Sequence, residues 1–190
     1  MKVRKPSKLL ETLAALAAFG RVVTASSAAS ADNVTALPHV REDAGVAATT
    51  KGVAFVDDVM VGAGILFADF TREPDLSLLL EPEIGYSGQV GAPPSWNAFD
   101  IGFGVGISPS PVVMVVYTPR LLLGTYGGAF APGMRNSLGV HFLYGAFDID
   151  LGHEFVDTQQ STTMVHSFVA TLGVDPVAII WFLSMAAGGY

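Results

Sequence analysis

Residues 99–108 read F-D-I-G-F-G-V-G-I-S. Phe99, Ile101, Phe103, Val105 and Ile107 share one face of an extended strand, and Asp100, Gly102, Gly104, Gly106 and Ser108 share the other. A ten-residue alternation with period two predicts a β-strand, because a helix would scatter both sets. The same pattern recurs. Leu76, Leu78, Leu80, Ile84 and Tyr86 oppose Ser77, Glu81, Glu83 and Gly85. Phe147, Ile149, Leu151 and Phe155 oppose Asp148, Asp150, Gly152 and Glu154. Further strands are expected over 53–70, 112–126 (with Pro119 at a bulge or a lightly paired position), 137–143 and 163–174. Residues 87–95, 109–111, 127–136, 144–146 and 157–162 carry the turn residues between them. The segment 177–185 is apolar on both faces and fits either an eighth strand or a short helix begun by Pro176.

What is unusual is the second face. Soluble sheets carry Lys, Thr, Glu and Gln there, whereas these strands carry glycine, serine and acids. Large apolar side chains opposite small or acidic ones suit a strand with lipid outside and a narrow lumen inside. Composition moves the same way. Only 14% of the 190 residues are charged, 51% are hydrophobic and the mean hydropathy is +0.48. No run reaches the roughly 18–20 apolar residues that a spanning helix needs. A chain this apolar without helical spans leaves the closed barrel as the membrane-compatible solution. The expected fold is therefore all-β, an up-and-down antiparallel transmembrane barrel of about eight strands.

Charge divides the chain. Lys2, Arg4, Lys5, Lys8 and Arg21 precede or flank the apolar segment 13–19, and Ala29-Ser30-Ala31 has the form of a cleavage site. Residues 1–31 are expected to be a signal peptide, 32–52 a flexible lead-in and 53–190 the barrel. Without residues 1–31 the chain keeps five basic and sixteen acidic residues. Such a balance excludes nucleic-acid binding, which depends on Lys and Arg at phosphates. There is no cysteine, so neither a disulfide nor a thiolate metal site can form.

With its signal-like start, the successive strands L-L-L-E-P-E-I-G-Y and F-D-I-G-F-G-V-G-I and the terminal aromatic Tyr190, the chain resembles the small outer-membrane β-barrel proteins of Gram-negative bacteria. The resemblance covers residues 53–190 and is one of pattern. It implies an exported protein of the bacterial outer membrane in contact with lipid, with a structural, partner-binding or narrow-solute (porin-like) role and a possible protein partner. The alternative is a secreted soluble β-barrel, lipocalin-like, whose apolar faces point inward around an apolar ligand.

Candidate chemistry is sparse. Glu81, Glu83, Asp100, Asp148, Asp150 and Glu154 fall on the small faces, and Arg120 is the one basic residue in an expected strand. Charges inside a narrow barrel must be paired or hydrated, so an ionic cluster of Arg120 with Glu81, Glu83, Asp100, Asp148 and Asp150 is expected in the lumen. The competing reading puts those acids on a water-facing sheet with Arg120 at its rim. His153 and His166 fall on neighbouring strands, where packed or interfacial imidazoles are the simpler account. His166 and Ser167 are adjacent on a strand and face opposite ways, so they cannot share a proton as a hydrolase pair. No catalytic residue, metal site or cofactor is expected. The segments G-F-G-V-G and G-T-Y-G-G precede no helix and are not phosphate loops.

Overall fold

The computed structural model describes residues 34–67, 77–91, 96–110, 112–126, 128–158 and 164–186. Eight strands follow one another: β1 (Val34–Thr49), β2 (Gly52–Phe67), β3 (Ser77–Gly91), β4 (Trp96–Ser110), β5 (Val113–Tyr126), β6 (Ala129–Phe142), β7 (Phe147–Val156) and β8 (Val165–Val174). Each pairs antiparallel with the next, and β8 returns to β1, which closes the barrel. A helix, α1 (Pro176–Ala186), follows β8.

Cross-strand partners define the stagger. From Thr49 the path runs through Ser167, Glu154, Arg135, Arg120, Gly102, Glu83 and Gly62 to His39, ten residues back along β1. With a rise of about 3.3 Å and a strand spacing of about 4.8 Å, that stagger tilts the strands by about 40°. Strands of 14–16 residues, as in β1 to β6, then climb about 35–40 Å, enough to cross an apolar band of about 25 Å with both ends beyond it.

The faces sort inside out. Phe103 is 47% exposed, Leu151 63% and Phe168 70%, all on the outer wall, while Asp100 is 0% and Arg120 2% exposed within. Apolar layers lie at two levels of the interior. Trp96, Ala98, Leu122, Ala131 and Val156 pack near the distal end, that of the β1–β2 turn, and Leu79, Met114 and Val116 pack toward the proximal end.

Two boundaries differ from expectation, and one choice left open is decided. Val34–Thr49 is a strand, where a flexible lead-in over 32–52 is expected. Its inner positions His39, Arg41, Asp43, Gly45 and Ala47 alternate properly. Its outer positions Ala36, Ala44 and Ala48 are small and Glu42 is charged, which dilutes the apolar signal. The last segment is the helix, so the count of eight stands with the set shifted by one. Loops expected over 87–95 and 127–136 belong in part to β3 and β6, because Gly88, Pro132 and Gly133 occupy strand positions without breaking the alternation. Pro119 keeps its partner Asn136 on β6, and no partner on β4 is registered for it. The expected signal segment and Tyr190 lie outside the described residues.

At the proximal end β8 pairs with β1 only from Glu42 to Thr49, so Val34–Arg41 has no strand partner on that side among the described residues, and the Val40 N–H donates instead to the Asp175 carboxylate. Pro38 lies in that stretch, where a missing N–H costs no ladder bond. The helix packs against β1 beside it. Asp175 caps the helix, its Oδ1 accepting from the N–H groups of Val177 (2.8 Å) and Ala178 (3.0 Å). Burial pushes the Asp175 carboxyl up, and those backbone donors oppose the shift. Trp181 meets Tyr144 of the β6–β7 turn edge to face at 5.0 Å. In that turn Leu143 and Tyr144 have φ of 51° and 63°, and Gly145 follows at 85°. Such a left-handed run suits a tight hairpin and costs least at glycine.

Candidate functional site: an ionic lumen

The pairing path from Thr49 to His39 is also the spine of the interior chemistry, because six of its members turn charged or polar side chains inward. Arg120 of β5 donates from Nε to Glu83 Oε1 at 2.9 Å, with Nη1 3.5 Å from Asp58 Oδ2 and Nη2 3.8 Å from Asp43 Oδ2. Arg135 of β6 donates from Nε (2.9 Å) and Nη2 (2.8 Å) to Glu154 Oε2, from Nη2 to Ser87 Oγ (2.9 Å), and from Nη1 to Asp58. Arg41 of β1 donates from Nη2 to Glu83 Oε2 at 3.0 Å. Gln89 (2.7 Å) and Ser167 (3.0 Å) both donate to Glu154 Oε1, and Ser87 donates to Asp58. Burying charges is tolerable only when they are paired and hydrogen-bonded, and each guanidinium here donates to at least one carboxylate, although Arg41 Nε and Arg120 Nη2 donate to none.

Glycines make room for these side chains. A Cβ on Gly102 would lie 2.7 Å from Glu83 Oε1 and 3.2 Å from Arg120 Cγ, and one on Gly104 would lie 3.0 Å from Glu81 Cβ. The glycine face of residues 99–108 is thus the clearance for carboxylates reaching across from β3.

Of the residues singled out from sequence, Arg120 contacts Glu83. Glu81 lies apart, its Oε1 3.7 Å from His141 Nδ1. Asp100 is fully buried, and neither carboxylate oxygen has a hydrogen-bond partner. Asp148 and Asp150 gather instead with Asp43, and their carboxylate oxygens lie within 4.8 Å of one another. Sequence reasoning missed Arg41, Asp43, Asp58 and Arg135, so Arg120 is not the lone basic residue of the strands. The signal for Arg135 was the alternation Gly133, Arg135, Ser137, Gly139, His141, hidden by reading residues 127–136 as loop. Of the adjacent acids Asp57 and Asp58, period two sends only Asp58 inward.

No protein-family profile matches the sequence, and no curated protein matches it. Among solved structures, the crystal structure of Neisserial surface protein A (NspA) is similar to 75% of this chain and 97% of its own, at 18% identity and a TM-score of 0.42. The barrel itself is read from its own strand pairing.

Beneath the ionic layer, a cavity of about 70 Å³ lies between the strands and the helix, lined in part by His39, Arg41, Glu81, His141, Tyr144 and Trp181. The outer wall carries its own polar pairs: Tyr86 donates to Asn97 Oδ1 at 2.6 Å, and Tyr117 to Asn136 Oδ1 at 2.8 Å. His153 and His166 stack on the outer wall with ring nitrogens 3.2 Å apart. Ser167 points inward to Glu154 while His166 points outward, so the two cannot form a hydrolytic pair.

Proposed function

We propose that this chain is an integral barrel of the bacterial outer membrane with a closed lumen, acting through its ends and outer wall as a structural or partner-binding element. One observation carries the reading: large apolar side chains look outward around the barrel while its guanidiniums and most of its carboxylates look inward. In water that arrangement exposes the wrong surface and buries the wrong groups, and in hydrocarbon it does neither. A lipocalin-like carrier would need an apolar cavity where this barrel holds Arg120, Arg135, Glu83 and Glu154. Solute passage is disfavoured by the side chains that fill an eight-stranded interior and by the Trp96 layer across its distal part. Residues 1–31 would direct export.

The test is expression of the full chain in a Gram-negative host, followed by membrane fractionation and electrophoresis with and without heating. Recovery with outer membranes, extraction only by detergent and a heat-dependent change in mobility are expected. A periplasmic protein soluble without detergent would overturn the assignment.

A further inference from the structure

The strands turn eight carboxylates inward (Asp43, Asp58, Glu81, Glu83, Asp100, Asp148, Asp150 and Glu154) against three guanidiniums (Arg41, Arg120 and Arg135). Asp58, Glu83 and Glu154 are satisfied by arginine. The residual negative charge concentrates where β1, β8 and β7 meet. Gly173 of β8 pairs with Asp43 on one side and Asp148 on the other. Both carboxylates close over the glycine, so that a Cβ there would collide with Asp43 Oδ1 and with both oxygens of Asp148. Asp150 joins them two residues along β7, and oxygens of all three lie within 4.8 Å of one another.

Asp43 and Asp148 lack the hydrogen bonds that burial demands. Neither oxygen of Asp148 nor of Asp43 accepts a hydrogen bond, although Asp148 is 2% exposed and Asp43 0%. Arg41 Nε lies 3.2 Å from Asp43 Oδ2, yet it is not aligned to donate and has no hydrogen-bond partner itself. A fourth group points the same way from outside the triad. His141 of β6 is buried and its Nε2, also unpartnered, lies 4.0 Å from Asp150 Oδ1, too far for a hydrogen bond. Arg41 and Arg120 lie 3.2 and 3.8 Å from Asp43 but leave its oxygens without hydrogen bonds, and native proteins satisfy buried carboxylates that face one another with a partner, a water or an ion.

We propose that Asp43, Asp148 and Asp150 form a site for a divalent cation inside the barrel, Ca²⁺ by its coordination chemistry. Hard carboxylate oxygens are its natural ligands. Ca²⁺ accepts about six to eight oxygens in flexible geometry, whereas Mg²⁺ demands near-ideal octahedral geometry, dehydrates reluctantly and is seldom held by an all-protein cage. A buried set of three carboxylates with one oxygen each in mutual reach therefore suits Ca²⁺ better than Mg²⁺. Bound there, it would tie β1 to β7 across the barrel seam at β8, which is one of the two shortest strands.

The test uses the full chain refolded in detergent micelles, stripped with a chelator and titrated calorimetrically with CaCl₂, MgCl₂ and NaCl. One Ca²⁺ per chain is expected, with affinity at least tenfold weaker in Asp148→Asn and Asp150→Asn. Calcium should also raise the thermal midpoint of the wild type but not that of the variants. No calcium binding, equal affinity in wild type and variants (which would locate it at surface acids such as Asp57), or Mg²⁺ or Na⁺ binding as tightly as Ca²⁺ would overturn the proposal. Should the variants fail to refold, Tb³⁺ luminescence on the wild type decides. A lifetime showing most hydration waters displaced, reversed by Ca²⁺, supports the buried site, and a lifetime close to that of the hydrated ion overturns it.

Discussion

Replacing Arg135 with methionine removes the best-connected charge in the lumen at nearly constant volume. The guanidinium is 1% exposed and donates to Glu154, Asp58 and Ser87. Charge-assisted hydrogen bonds contribute about 1.5–3 kcal/mol each, but summing them overcounts, because the charged arginine also paid to leave water. The relevant quantity is the cost of leaving Glu154 without its cation and Asp58 with only one of its two, about 3–5 kcal/mol for a broken buried pair. Glu154 keeps Gln89 and Ser167 and Asp58 keeps Ser87 and Arg120, which holds the expected loss toward the lower part of that range. Arg135→Lys retains the charge but not the planar fork reaching Glu154 through two nitrogens, so it should fall between wild type and methionine. Urea unfolding in micelles, followed through buried Trp96 fluorescence and mobility without heating, measures the difference. The double variant Arg135→Met with Glu154→Gln should recover part of the loss, since one stranded charge is gone. A single Arg135→Met variant within about 1 kcal/mol of wild type would refute the claim that this pairing holds the interior together.

Two further perturbations test the wall and the cap. Ile101→Arg, on the outer face midway along β4, should cost about 2–4 kcal/mol in lipid vesicles, whereas Phe130→Arg near the distal rim should cost about 0–1 kcal/mol. Equal effects at the two heights would refute a lipid-facing belt. Asp175→Ala removes the acceptor of two N–H groups of the helix and of the Val40 N–H, and should destabilise the first turn of α1 by about 1 kcal/mol, seen as faster hydrogen exchange at Val177 and Ala178. Unchanged exchange there would mean that packing against Tyr144, not the cap, holds the helix.

Legibility of the sequence followed the contrast between the two faces of each strand. Residues 99–108 pair aromatic and branched side chains with glycine, and the strand lies there with its faces as the alternation has them. In β1 the inner face is as regular, from His39 to Ala47, but the outer face offers alanines and Glu42, so the apolar half of the signal is missing. Segment 177–185 is apolar on both faces, and periodicity cannot separate a strand from a helix there. Asp175 followed by Pro176 supplies the cap and first-turn chemistry of a helix start. For the interior, period two assigns which residues face in but says nothing of stagger. Arg120 meets Glu83 rather than Asp148 because the ten-residue shift sets each strand's height, and that shift emerges only from strand pairing.

The same stagger singles out Glu42, an acid on the outer wall whose cross-strand neighbours are Val59 and Val174. Asp57 joins it diagonally, opposite Ala44. An inner-face acid can find an arginine, but Glu42 looks away from Arg41, which period two sends inward. Carboxylates on a lipid face are destabilising, though less than the about 2–4 kcal/mol found for basic residues at midplane. If the wall at Glu42 meets hydrocarbon, Glu42→Leu should raise the unfolding midpoint in vesicles and leave it nearly unchanged in micelles, where headgroups and water reach the wall more readily. The gain should exceed that of Asp57→Leu, because Asp57 lies nearer the distal end. A loss of stability with leucine in vesicles would contradict this account and mean that the carboxylate answers a polar group, which the seam beside the stretch of β1 that β8 leaves unpaired would then have to supply.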